Sequence, residues 1–137
     1  MRADEADLTG LRALGATLLE SSFRKAEAKD SVWEEAKLVG ADFSQASLDG
    51  AEFEAAVLAG AKLNRASLKS ARLVRANLRG TELVRANFFH ATLPQANLGF
   101  ADCREASFFE ADLFETVTEG ARWEGANLQR TVLTILR

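Results

Sequence analysis

Tyrosine is absent from this 137-residue chain, histidine and cysteine occur once each, and aromatic residues amount to 8%. A single cysteine, Cys103, excludes an internal disulfide framework and points to a reducing compartment. No apolar run approaches the ~18 residues that a membrane helix needs. The opening Met1-Arg2-Ala3-Asp4-Glu5 has none of the apolar stretch of a signal peptide. A soluble, cytoplasmic protein with no membrane association is therefore expected. With one His and one Cys, no cluster of zinc-ligand spacing exists, and no glycine-rich loop precedes a helix to cradle a phosphate.

What is present is a period of five. From Ala36 to Leu133 one slot of each pentad, here i−2, holds Ala, with Thr81, Thr116 and Thr131 as its variants. Two residues later the i slot holds Leu, Phe or Trp from Trp33 to Leu133, except at Cys103 and Thr118. Five matches neither the helical period of 3.6 nor the strand period of 2. A short fixed period signals a solenoid whose units bury their apolar side only by stacking. The length suits one domain, 1–137, divided into irregular N-terminal coils or a cap (1–32), regular repeats (33–133) and a C-terminal end (134–137).

Units such as Ala41-Asp42-Phe43-Ser44-Gln45, Ala76-Asn77-Leu78-Arg79-Gly80 and Ala126-Asn127-Leu128-Gln129-Arg130 resemble the A-(D/N)-L-x-x signature of the pentapeptide-repeat proteins. The resemblance is strong over 33–133 and weak over 6–32. It implies an all-β fold, a right-handed quadrilateral β-helix of about six to seven coils with four pentapeptides per coil. In it i and i−2 point inward and the other three positions outward.

Packing physics leads to the same arrangement. A bulky i residue beside a small Ala fills a narrow interior, and residues twenty apart stack at the ~4.8 Å sheet spacing. Phe23 is then expected against Phe43, Trp33 against Phe53 and Phe88 against Phe108, with a ladder of Leu38, Leu58, Leu78 and Leu98. Asn and Asp at i−1 suit tight turns, because their side chains can bond the nearby backbone. Gly40, Gly60, Gly80 and Gly120 leave one corner bare, with Phe100 interrupting the series. Near the N-terminus Leu11, Leu14 and Leu18 would also suit an amphipathic helix, although imperfect coils are the preferred reading there.

Charge is unevenly spread about a net −3. Residues 61–100 carry Lys62, Arg65, Lys69, Arg72, Arg75, Arg79 and Arg85 against Glu82 alone, which predicts a basic belt between acidic ends. Asp42, Lys62, Glu82 and Asp102 fall in one column as a cross-strand charge ladder. His90 is an outward surface residue, and Cys103 sits in an inward slot as a small apolar residue. General acid–base work needs a concave pocket, and a convex solenoid is expected to have none. The expectation is no enzyme and no cofactor or metal.

Outward rings at Phe89 and Phe109, at Phe114 on the next face and at Phe100 are the candidate anchors for a protein partner of unknown identity. Arg65, Arg75 and Arg85 would steer the encounter. The apolar C-terminal segment, with Val132, Ile135 and Leu136, is a candidate end-to-end contact, giving a possible homodimer. Within the family some members mimic duplex DNA and occupy DNA gyrase, protecting it from quinolones, which makes DNA mimicry the alternative. A rod of ~31 Å of duplex carries roughly 18 negative charges at one per ~1.7 Å. A net of −3 with a positive middle falls far short. The bases of the belt spread over several faces, which disfavours direct nucleic-acid binding.

Overall fold

The computed structural model describes residues 1–135, in which the chain winds with a period of twenty. Parallel bridges join each residue at i−1 to its counterpart one coil on, from Arg2↔Ser22 through Asp42↔Lys62 to Ser107↔Asn127. Between bridges the chain turns every five residues. Each side of a coil is thus one pentad long, and we number the sides as walls one to four by their interior residues Phe43, Leu48, Phe53 and Leu58.

The hydrogen bonding explains why so few segments count as strands. On each wall the i and i+2 amides donate to the coil above, as Phe43 N–H does to Lys62 O (2.7 Å) and Gln45 N–H to Asn64 O (2.9 Å). The i−1 amide of that upper coil donates back, as Lys62 does to Ala41 O at 2.9 Å. A turn then interrupts the ladder. Only β1 (Asp112–Thr116) and β2 (Val132–Ile135) extend further among the described residues, and they pair in parallel with an irregular register between Leu113 and Thr116.

Two devices make the turns. The amide of each i−2 residue donates to the carbonyl of the preceding i residue, as Ala46 does to Phe43 at 3.0 Å. Side-chain oxygens at i−1 accept from the amide two residues on, seen at Asp42–Ser44, Asn77–Arg79, Asn87–Phe89, Asn97–Gly99 and Asn127–Gln129. The expected side-chain-to-backbone bonds are therefore present. Every i+2 residue from Glu5 to Arg130 adopts a left-handed φ of 53° to 77°, and glycine fills only eight of these positions.

Inside, the i and i−2 side chains are buried from Phe23 to Leu113, nearly all with no exposed surface. The three expected ring pairs form: Phe23–Phe43 (centroids 4.8 Å), Trp33–Phe53 (6.1 Å) and Phe88–Phe108 (4.8 Å), each near-parallel. Neighbouring walls add edge contacts, with Trp33 against both Phe23 and Phe43. Where a hydroxyl replaces Ala it is satisfied locally. Ser31 Oγ donates to Ala28 O and accepts from Trp33 Nε1, while Thr81 and Thr116 donate to Leu78 O and Leu113 O. No buried side-chain polar atom among the described residues lacks a partner.

Residues 1–32 wind in the same way, bridged from Arg2 onward, with Leu14 in a turn and Leu11 and Leu18 flanking the bridge residues Arg12 and Thr17, and no helix forms there. A helical cap is thus replaced by coils. Leu8, Leu11 and Leu18 pack partly buried against the core, whereas Leu14 and Leu19 are exposed. No helix among the described residues is long and apolar enough to cross a membrane.

Candidate functional site: the outer walls

With the interior filled by i and i−2, everything the molecule can offer a partner stands at i−1, i+1 and i+2. The four outward phenylalanines do not converge. Phe89 and Phe109 stack on wall two, their centroids 5.8 Å apart and nearly parallel, and the His90 ring lies 4.0 Å from Phe89. Both rings are half-buried. Phe114 belongs to wall three, where it is 44% exposed, and its amide is held by Asp112 Oδ1 at 3.0 Å. Phe100 stands at the far corner of wall four, 51% exposed. Its ring lies against Gly120, where no Cβ would fit, and the Arg79 guanidinium sits 4.5 Å over it. One pair and two separate rings thus replace a single aromatic patch.

Two arginines of the belt are tied down by carboxylates, Arg75 by the coil below and Arg85 by the coil above. Arg75 Nη2 reaches Glu54 Oε1 at 2.7 Å and Arg85 Nε reaches Glu105 Oε2 at 2.5 Å. The reason is axial: the coil 61–80 holds six bases and no acid, and it lies directly on the coil 41–60, which holds four acids and no base. Asp42 bridges Lys62 and Glu52 bridges Arg72 through the backbone, while Asp49 accepts from the Lys69 amide at 3.0 Å. Arg65 stands exposed in the same column as Arg85. The charge ladder is in place, running Asp42, Lys62, Glu82, Asp102 and on to Arg122.

Other polar groups show the same economy. Arg104 forks onto both oxygens of Asp102 (2.8 and 2.7 Å), which lowers that carboxyl below its ordinary range and raises Arg104. His90 Nε2 meets Glu110 Oε2 at 2.6 Å, and Arg130 approaches the other Glu110 oxygen at 3.3 Å. Cys103 is buried, and burial, with Asp102 nearby, pushes its thiol up to about 12, so it is a core residue without thiolate character. No group of three or more potential metal ligands gathers among the described residues.

Wholly convex walls are not what the chain has. A shallow groove of about 410 Å³ is lined by Val84, Arg104, Glu105, Glu124 and Gly125 on wall one. Longer side chains at 104, 105 and 124 overhang Gly125 and create relief that backbone shape alone would not. A smaller apolar hollow of about 210 Å³ is lined by Thr118, Trp123, Leu128 and Leu133. Val132 beside it is 54% exposed. Of the other candidate end residues, Ile135 pairs through its backbone with Thr116, and Leu136 lies outside the described residues.

Twenty-residue coils joined by single parallel bridges around a small-and-bulky interior define a parallel β-solenoid. The chain belongs to the pentapeptide repeat family: the family's model matches in eight copies over residues 36–73, 71–108 and 86–116. Its fold is the right-handed β-helix of that family. HetL, a pentapeptide repeat protein involved in heterocyst differentiation regulation in the cyanobacterium Nostoc sp. strain PCC 7120, is 30% identical, with a TM-score of 0.67 over 96% of this chain and 70% of that one. Two trypsin-treated variants of QnrB1, a plasmid-mediated fluoroquinolone resistance protein, superpose with TM-scores of 0.84 and 0.89 at 21% identity. Those matches cover 95% of this chain, which spans 66% of the QnrB1 chain. No curated protein sequence matches it.

Proposed function

We propose that this protein is a non-catalytic interaction module, a rigid rod of square section and about six to seven coils whose walls present side chains to a protein partner in the cytoplasm. One observation carries the reading: the interior is complete without the outward phenylalanines. Phe88 and Phe108 already fill wall two from inside, so Phe89 and Phe109 add apolar surface that the core does not require. Aromatic residues and arginine are the types that dominate protein–protein hot spots. The stacked pair sits among Asn87, Ser107 and Gln129, with Lys69 next below it in the same column and His90, Glu110 and Arg130 along its edge, an apolar centre with a polar rim. Arg65, with Arg75 and Arg85 partly neutralised, contributes a weaker steering field than a free belt would.

The test is a Phe89→Ser/Phe109→Ser double variant examined by native mass spectrometry and partner capture. A folded variant that loses its partner or its self-association supports the reading; unchanged behaviour assigns the pair to packing. DNA mimicry is the competing reading, and likeness in fold to QnrB1 does not carry it. The six-base coil 61–80 would meet a cationic DNA-binding groove with like charge. Gyrase inhibition at micromolar protein that persists in the double variant would overturn our preference. A contact between two copies near Val132 is supported by the half-exposed Trp123 and Leu128 around the apolar hollow. Sedimentation of a Val132→Asp variant tests it, a monomer being the expected product if the contact exists.

A further inference from the structure

Wall three differs from the others in how its charges and apolar residues are sorted along the axis. Between residues 31 and 115 it carries Glu34, Glu35, Glu52, Glu54, Asp112 and Glu115 against Arg72 and Arg75. Four of those carboxyls are concentrated in two successive coils. Backbone bonds Trp33–Glu52 and Glu35–Glu54 seat these acids one coil apart, and the Glu34 carboxyl, with Glu52 and Glu54 beside it, is raised above its ordinary range. Arg75 is drawn down onto Glu54 at 2.7 Å, leaving the acids in excess. Directly above, the same i+1 column changes character, with Val74, Pro94 and Phe114 following Glu34 and Glu54. Backbone bonds Ala55–Val74, Arg75–Pro94 and Gln95–Phe114 hold that column in line. Phe114 is the most exposed of these three apolar residues.

The geometry points to a docking strip on wall three for a protein segment whose cationic side chains are grouped at one end and whose apolar side chains are grouped at the other. The cations would settle on Glu34, Glu35 and Glu52, where added positive charge relieves crowded carboxylates. The apolar end would cover Val74, Pro94 and Phe114. Charge complementarity selects this occupant over the alternatives. A nucleic acid is repelled by the carboxylates, and wall one of a second copy would offer only charge of mixed sign, with Asp102–Arg104 and Arg85–Glu105 already paired. From the coil of Glu34 to that of Phe114 the strip runs four spacings, ~19 Å at ~4.8 Å each. A helix of roughly 13 residues at ~1.5 Å per residue covers that length.

The experiment uses the full chain and two fluorescein-labelled synthetic peptides of identical composition, one with Arg residues grouped before Leu residues and one with them evenly mixed. The grouped peptide is expected to bind about tenfold more tightly, a difference of ~1.4 kcal/mol. Glu34→Gln/Glu52→Gln and, separately, Phe114→Ser should each weaken it severalfold. Asp102→Asn/Glu105→Gln on wall one should leave it unchanged. Equal binding of the two peptides, binding of neither, or equal weakening by the wall-one variant would overturn the proposal, the last by revealing unspecific charge attraction. Circular dichroism of each variant confirms that the coil is intact. Because the probes address wall three, their failure leaves the Phe89–Phe109 reading standing, and the reverse also holds.

Discussion

At the scale of single residues, the i+2 corner isolates backbone conformation from side-chain contact. Gly60 has φ 68° and open space where a Cβ would stand. Gly60→Ala therefore carries no clash, and its cost, about 1 kcal/mol, is that of a left-handed L-residue. Ala55 has φ 56° on the next wall round. Ala55→Gly should raise the thermal midpoint, by less than ~1 kcal/mol equivalent because glycine gains freedom in the unfolded chain. Opposite signs in calorimetry are the check. Glu34 gives a second residue-scale prediction. Hydrogen bonding of its protonated form to Glu52, followed by partial desolvation and the negative charge of Glu52 and Glu54, raises its carboxyl above the ordinary range. A carboxyl raised in the fold holds its proton more tightly there than in the unfolded chain, so its stabilising contribution is present at acid pH and lost as pH rises through the raised value. Glu34→Gln should therefore be more stable than the parent at neutral pH, with the advantage vanishing in acid. Asp102, lowered by Arg104, runs the other way: Asp102→Asn should lose stability at neutral pH and converge with the parent below the usual aspartate range of ~3.9.

At the scale of the repeating pentad, the same aromatic residue has two values according to slot. Phe88 is fully buried against Phe108, while its chain neighbour Phe89 faces outward and stacks on Phe109. Phe88→Ala should cost ~3–5 kcal/mol as a core cavity. Phe89→Ala should fall within ~1 kcal/mol, as surface changes do. Denaturant midpoints of the two variants separate them, and similar losses would mean that the outer ring is structural. Pentad logic is also what made the interior legible in advance. Phe23–Phe43 and Trp33–Phe53 follow from twenty-residue arithmetic, because an inward side chain has only its column to touch. Outward side chains escape that arithmetic. Arg75 reaches Glu54, twenty-one residues back and across the wall, while Arg104 folds onto Asp102 within its own pentad. Long flexible cations choose partners by local geometry that spacing does not encode. Phe100 stands out in the sequence as an intruder in the glycine column, but its seat between Arg79 and Gly120 is fixed by side-chain packing that spacing does not encode. The shortness of the strands was hidden as well, since a left-handed residue every fifth position confines each ladder to a single bridge, and most of those positions hold residues other than glycine.

Over the whole molecule, net charge is a poor guide to electrostatics because charge is sorted by coil. Acids alone ring the coil 41–60 and bases alone ring the coil 61–80. Opposite charges in adjacent rings are separated by about one sheet spacing, ~4.8 Å. Like charges within a ring stand mostly on different walls, farther apart, the same-wall pairs being Glu52 with Glu54, Lys62 with Arg65 and Arg72 with Arg75. At ~0.1 M salt the screening length is ~10 Å, so repulsion across the rod is already weakened while attraction between rings persists. By ~1 M the length falls to ~3 Å and the near contacts are screened too. The thermal midpoint should therefore decline between these concentrations of sodium chloride. A chain whose electrostatics amounted to the mutual repulsion of its net −3 would instead gain stability over the same interval. Asp42→Asn/Glu52→Gln removes two members of the acidic ring that bridge Lys62 and Arg72, and it should flatten the decline. Scanning calorimetry across the salt series decides the matter: a midpoint that climbs throughout, in parent and variant alike, would show that the two rings do not act as partners. A shallower slope in the variant would locate the attraction at these two acids, of which Asp42 also lies 3.7 Å from Arg24 in the coil below, each seated by a solenoid that places residue n beneath residue n + 20.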